Sequence, residues 1–419
     1  MYFICSFLFC RVLRFYSHLK NAIQILKEYK AEEPFASFLK KYFVRSKKYG
    51  SSDRRQIGHL CYCYFRQGHA LRDISVEERI LSGLFLCSDR SNEMLGQLKP
   101  GWNDKAHLPV KEKLSIINNP ALIEEVFPWK EQLSEEMDHE KFCESFFIQP
   151  DLFIRLRPGY ENAVKTKLRD WGINFSEISS TCLALPNAAR IENIIELDKE
   201  AVVQDLNSQR TGKFFKNSKL EASGKELKVW DCCAGSGGKS LLLHDLDPGI
   251  RLTVSDVRES ILFNLKQRFA KAGIKNYTSF TADLTSLNFS KNVPADKSQI
   301  SLKARRGSVG ESFDLVICDA PCTGSGTWSR TPEQLYFFND EKIDQYALLQ
   351  KKIVSTIVAM LKKNGWLLYI TCSVFKKENE DVVEFIRSNS EFELVEMELL
   401  KGYEKKADTM FAALFKRKL

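Results

Sequence analysis

Two short segments hold the residues best placed for chemistry: Asp319–Ala320–Pro321–Cys322 and Thr371–Cys372–Ser373. Each follows an apolar run, Phe313 to Cys318 in the first case and Trp366 to Ile370 in the second. Cys322 and Cys372 emerge into Gly, Ser and Thr surroundings, whereas Cys318 lies inside its run and reads as a small buried hydrophobe. The bland alternative for the pair is two buried thiols or a disulfide. A third segment, Asp231–Cys232–Cys233–Ala234–Gly235–Ser236–Gly237–Gly238–Lys239–Ser240, follows the run Lys228–Val229–Trp230. Its glycines allow unusual dihedrals and close backbone approach, and a helix opening at Gly238–Lys239 offers unpaired N–H groups. A P-loop would need glycine where Cys233 stands, and a dinucleotide fingerprint would need one at Ser240.

An S-adenosylmethionine site asks for less: a Gly-rich turn for the amino-acid end, and an acid at the end of the next strand for the ribose hydroxyls. Asp256 lies 25 residues after Asp231, one βα step away, and Asp283 then sits where an adenine amine could be bonded. Any one of these aspartates alone could be a helix cap. Two thiols beside a methyl donor suit carbon 5 of a pyrimidine, a poor nucleophile. A thiolate adding at carbon 6 makes that carbon enamine-like. Later the carbon 5 proton must leave and the thiol be expelled, which needs a base. No His lies in the strand-end segments, and His244 falls inside a helix, so a second cysteine is the available group for release.

The elements that must position these groups are short apolar runs separated by helical patterns. Leu252–Thr253–Val254 leads to Asp256, and Ser279–Phe280–Thr281 leads to Asp283. This βαβ rhythm predicts a parallel, doubly wound sheet, with ligands beyond the carboxyl ends of its strands. A final pair, Phe392 to Leu399 and Met410 to Phe415, reads as antiparallel.

The chain of 419 residues exceeds a single domain on a prior of ~150 residues each. Its formal net charge of +8 is a modest surplus, compatible with a polyanionic partner or with an ordinary basic surface. The 12 cysteines include no C-x-x-C pair and have no nearby His to complete a zinc pattern. The reading is therefore a reducing compartment and no metal. The apolar start, Met1 to Phe9, is interrupted by Arg11 and Arg14, so it is too short to span a bilayer, and no small-residue cleavage site follows.

Residues 1–145 read as a helical domain, with apolar helical spacing over Leu13 to Tyr29, Phe35 to Phe43 and Gln56 to Phe65. Residues 88 to 118 look polar and loop-rich. The basic stretch Arg45 to Arg55, with Lys47, Lys48, Arg54 and Arg55 around Tyr49, is a candidate phosphate contact. Taken alone it is better read as a solvated face, with Asp53 as a helix cap. Residues 146–200 suggest a small α+β module of ferredoxin or RRM type, with strands at Leu152 to Leu156, Thr181 to Leu185 and Ile191 to Leu197. Val203 to Gln209 reads as linker, residues 201–419 as the catalytic domain, and Ser290 to Ser312 as a mobile surface insert.

The segments VQDLNSQ (Val203 to Gln209), DCCAGSGGKS, DAPC, Arg330–Thr331–Pro332 and TCSVFKKENE (Thr371 to Glu380) together resemble the Fmu/Sun, or RsmB-type, RNA cytosine-C5 methyltransferases. Asp408 to Ala412 resembles the last strand of that family, and the likeness covers about residues 150 to 419. It implies an α/β fold: a Rossmann-like methyltransferase domain with a mostly parallel sheet, preceded by the α+β module and an all-α RNA-binding domain. It implies that Cys372 attacks carbon 6, that Cys322 assists release, and that Asp319 orients the cytosine against the donor. It implies S-adenosylmethionine binding by Cys233, Ala234, Gly235, Ser236, Gly237, Gly238, Lys239, Asp256, Asp283 and Asp319. RNA contacts would fall to Lys47, Lys48, Arg54, Arg55 and Arg330. The chain departs from the family where Gly235–Ser236 replaces the usual Ala-Pro. The expected protein is a cytoplasmic monomer forming 5-methylcytosine in structured RNA, 16S rRNA first and tRNA second. A non-catalytic ribosome-assembly factor is the alternative from another class. DNA cytosine methyltransferases do not need the Thr-Cys-Ser segment.

Overall fold

The computed structural model describes residues 2–46, 48–119, 121–218, 226–286, 312–389 and 391–418. The chain forms two compact units. The first comprises Met1–Leu133, Met137–Gln149 and Thr327–Asn339. Its described residues are helical, with longer helices at Tyr2–Glu28, Phe35–Arg45, Ser51–Arg66 and Val76–Cys87. The apolar spacing seen in the sequence closes this core, in which Ile25, Phe35, Ile57, Phe65 and Phe85 are buried. Asp53 sits in the first turn of its helix rather than at the cap, where its carboxylate accepts from Gly50 N at 3.3 Å. The stretch read as loop over 88 to 118 contains short helices at Glu93–Leu98, Pro100–Asn103 and Val110–Ile116. Asn92 caps the first of these through Leu95 N at 2.9 Å.

The second unit comprises Ser134–Glu136, Pro150–Gly326 and Asp340–Leu419. It opens with strands β1 (Leu152–Leu156), β2 (Ser176–Ser179), β3 (Cys182–Leu185) and β4 (Ala201–Val203). They form an antiparallel sheet in the order β2-β3-β1-β4, with the helix Glu161–Asp170 following β1. Ile191 to Leu197, expected as a strand, is a series of turns that inserts Ile191 and Ile195 into the core. Both buried side chains come from a single turn, at a spacing of four, which mimics the apolar pattern of a short strand.

The main sheet contains β5 (Lys228–Asp231), β6 (Arg251–Asp256), β7 (Tyr277–Thr281), β8 (Phe313–Asp319), β9 (Leu361–Thr371), β10 (Phe392–Leu400) and β11 (Met410–Arg417). Its order is β10-β11-β9-β8-β5-β6-β7. The strands from β9 to β7 run parallel, and β11 is antiparallel to both β9 and β10. Phe-Asp-Leu-Val-Ile-Cys-Asp of β8 is nearly continuous in apolar character because the sheet is covered on both faces. The helix Glu259–Ala272 buries Leu262, Leu265 and Phe269 at helical spacing and ends on Gly273 at φ +78°. Residues 203–209, read as linker, are locked in place. Asp205 caps the helix Leu206–Arg210, and the fully buried Asn207 donates to Leu400 O (2.8 Å) and Asp408 O (2.7 Å). The insert read at 290 to 312 lies outside the described residues except for Ser312. No described helix is long and apolar enough to cross a membrane.

Candidate active site

Parallel strands bring their carboxyl ends to one edge, so the predicted groups of β5, β6, β7, β8 and β9 share it. After β5, Gly235 (φ +53°) and Gly237 (φ +83°) adopt left-handed backbone and turn the chain into the helix Gly238–Leu246. A side chain at Gly237 would also strike Phe269 and Leu265, whereas one at Gly235 would meet nothing within 4 Å. The turn is thus packed on one side and open on the other. Asp256, at the end of β6, braces it: Oδ2 accepts from Gly235 N at 3.0 Å and Oδ1 from Arg258 N at 3.0 Å. Asp283 is exposed beyond β7 and accepts from the Thr285 hydroxyl and backbone, which hold its carboxyl below the usual range. Cys233 is half-buried.

Lys239, in the first turn of the helix, places Nζ 2.5 Å from Asp319 Oδ2 at the end of β8. Burial works against the charged ammonium, but the Asp319 carboxylate outweighs it and raises the lysine pKa. Asp319 pairs in register with Ile370, and Ala320 N donates to Ile370 O at 2.8 Å. That register sets the two thiol loops side by side. Cys322 Sγ and Cys372 Sγ are 3.3 Å apart and both half-buried. A disulfide would need about 2.05 Å, so these are two free thiols in hydrogen-bond contact. The bond to Cys372, with burial, holds the Cys322 pKa well above the ordinary thiol value.

Both loops are fastened to one buried carboxylate. Glu378 Oε1 accepts from the Thr323 and Ser373 hydroxyls, each at 2.6 Å. Its Oε2 accepts from Thr323 N at 2.9 Å and Gln350 Nε2 at 3.0 Å. Glu378 is fully buried, and burial raises its pKa despite these four donors. Asn379 continues the frame, donating to Ser373 O at 3.0 Å and accepting from the Thr371 hydroxyl at 2.5 Å. Gly326 N donates to Cys372 O at 2.8 Å. From sequence, Glu378 and Asn379 were only part of a motif. A carboxylate and an amide a few residues past a reactive cysteine, with hydroxyls on both loops, are the signal that would have found them.

The predicted RNA contacts belong to the other unit. Lys48, Arg54 and Arg55 are exposed; Arg54 Nε donates to Tyr49 O at 2.9 Å, and Lys48 Nζ lies 5.0 Å from the Tyr49 ring centre. Arg330 lies in the Thr327–Asn339 segment of that same unit. Lys47 is outside the described residues.

The sequence model of the family described as 16S rRNA methyltransferase RsmB/F matches residues 217–415. Over those residues, a little under half of the chain, the sequence is similar to the RsmB/F methyltransferases. Ribosomal RNA small subunit methyltransferase B of Shewanella oneidensis is 30% identical over 187 residues, 45% of this chain and 38% of that protein. The protein of that name from Pasteurella multocida is 26% identical over 278 residues, 65% of this chain and 56% of its own. The chain thus spans about half the length, or less, of the curated relatives it matches. Among solved structures, PH0851 superposes with a TM-score of 0.64 at 20% identity, covering 94% of this chain and 96% of that one. NSun6 from Pyrococcus horikoshii with SFG gives 0.54 at 14% identity, over 67% and 94%. At such identities the likeness establishes the fold. The α/β sheet with its preceding helical region is the expected Rossmann-like architecture.

Proposed function

We propose that this chain is an RsmB/F-type enzyme that methylates carbon 5 of a cytidine in structured RNA, with small-subunit ribosomal RNA as substrate, in the cytoplasm. One observation carries the reading: two free thiols 3.3 Å apart, at the ends of adjacent parallel strands and next to the Lys239–Asp319 pair. The Gly235 turn, open on one side and braced by Asp256, fits the amino-acid end and ribose of S-adenosylmethionine. That donor, when bound, supplies an electrophilic methyl group.

Cys372 adds as thiolate to carbon 6 of the cytosine, and the ring's electron density moves to carbon 5. Cys322, half-buried and in hydrogen-bond contact with Cys372, has its pKa raised and keeps its proton in the resting site. Once Cys372 is bonded to the base, Cys322 loses that contact and gives its proton to solvent; its thiolate then takes the proton from the methylated carbon 5, and the electron pair left behind re-forms the 5,6 double bond as Cys372 departs as thiolate. Asp319 holds Lys239 and presents its partly exposed carboxylate toward the cytosine. Lys48, Arg54, Arg55 and Arg330, with Lys47, would supply the phosphate contacts that fix register while the base is turned out of its stack.

The test pairs two variants on total RNA with labelled methyl donor. Cys372→Ala should abolish methyl transfer. Cys322→Ala should accumulate a covalent protein–RNA adduct on denaturing gels. Retained activity in the first, or normal turnover in the second, refutes the roles. Bisulfite mapping of RNA from cells with and without the gene identifies the cytidine and separates rRNA from tRNA.

A further inference from the structure

A second group of thiols lies at the start of the Gly-rich turn, and neither Cys322 nor Cys372 belongs to it. The sulfur atoms of Cys232, Cys233 and Cys318 all lie within 4.8 Å of one another, and all three thiols are free. Cys232 and Cys233 are consecutive, yet the turn that follows β5 aims both at the same neighbour. Cys232 N donates to Ile317 O at 3.0 Å, which fixes the turn against β8, where Cys318 is the next residue. Ser255 Oγ holds the Cys232 carbonyl at 3.0 Å from the other side. The backbone around the triad is therefore set before any ligand arrives. Cys232 and Cys318 are buried, while Cys233 is half-buried and opens the cluster to the outside.

We infer that Cys232, Cys233 and Cys318 form a three-thiolate site for a thiophilic d10 cation of the Zn(II), Cd(II) or Cu(I) class. Three sulfurs bound to Zn(II) at about 2.3 Å would stand about 3.8 Å apart. The sulfurs of the triad, all within 4.8 Å of one another, stand at most about 1 Å beyond that spacing. Soft thiolate donors select this class of ion over Mg(II) or Ca(II). Binding releases the thiol protons to solvent, and a water entering beside Cys233 completes a four-coordinate shell. Spacing rules overlook such a site because the third ligand comes from a distant strand. None of the ligands is Cys322 or Cys372, and because the resemblance assigns Cys233 to the methyl donor, the ion is titrated without donor or RNA.

The experiment uses the full chain, reduced by a thiol-free phosphine and stripped of metal. Cd(II) is titrated in while the near-ultraviolet thiolate-to-metal absorbance is followed, and Zn(II) is then titrated against a chromophoric chelator. The expected result is saturation at one equivalent, weakened at least tenfold in both Cys318→Ser and Cys233→Ser and unchanged in Cys372→Ser. Cys233→Ser, at a half-buried position, keeps the test decisive if Cys318→Ser fails to fold. Absence of a stoichiometric band overturns the inference, as does wild-type affinity in Cys233→Ser. Loss of binding in Cys372→Ser overturns it too, because the ion would then sit on the other thiol pair.

Discussion

Replacing Glu378 with glutamine changes one atom in the frame that holds both thiol loops, and the structure sets the scale of the effect. The amide oxygen would turn toward Thr323 N and Gln350 Nε2, which can only donate. The amide nitrogen would then face the Thr323 and Ser373 hydroxyls, which must reverse and accept. Two short charge-assisted bonds become neutral ones, at about 1 kcal/mol each, for a loss near 2 kcal/mol. In a unit of this size that lowers Tm by about 4–8 °C. Catalysis should suffer more than stability. Misplacement of a reacting group by about 1 Å costs on the order of 100-fold, so kcat should fall between about tenfold and 100-fold. Donor affinity, set at the β5 and β6 ends, should be unchanged. Single-turnover methyl transfer with saturating RNA, alongside calorimetric donor binding, separates the two. Glu378→Gln that is folded and retains kcat within about twofold refutes the positioning role. A loss confined to donor affinity refutes it equally.

The Asp245 side chain, only 5% exposed, accepts from Arg155 Nη1 at 2.5 Å and Arg157 Nη2 at 2.7 Å. Asp245→Asn leaves two buried guanidinium groups without a counter-charge, so denaturant unfolding should show a loss of about 3–5 kcal/mol; a loss below about 1 kcal/mol would refute the reading. A side chain at Gly326 would collide with Thr409 O and crowd Cys372 O, so Gly326→Ala should displace the Cys372 loop and slow adduct formation in the Cys322→Ala background. Asp231 is buried, and burial raises its pKa to about 7. The native state then holds a proton that the unfolded state has lost, so stability should fall as pH rises from about 4 to about 7, by roughly 1 kcal/mol per unit. Asp231→Asn should flatten that slope in urea titrations; an unchanged slope assigns it to other groups.

The strand-end aspartates and the two loop cysteines were legible because a parallel sheet places each strand's end at one edge, whatever the helices between them do. Apolar runs such as Phe313 to Cys318 announce such strands without ambiguity. What was not legible was held by polar atoms at long range. Asn207 looked like linker because its partners, Leu400 O and Asp408 O, are backbone groups with no signature of their own. The edge strand Ser176–Ser179 is exposed throughout and carries no alternation to read. Ile191 to Leu197 imitated a strand because two isoleucines a turn apart also reach a core. The grouping of Cys318 with Cys232 and Cys233 needed the register of β5 against β8, which no single segment encodes.

The sheet order also dictates a sequence of events during synthesis. β10 is made before β11, yet it joins the sheet only through β11, which pairs with β9 over Trp366 to Thr371. Until residues 410–417 emerge, the strand leading to Cys372 has one unpaired side, a sticky border that invites association with other chains. A ribosome paused before Met410 would therefore display an unfinished and aggregation-prone product. Its sulfhydryl loop would also lack the Thr409 clasp on Gly326.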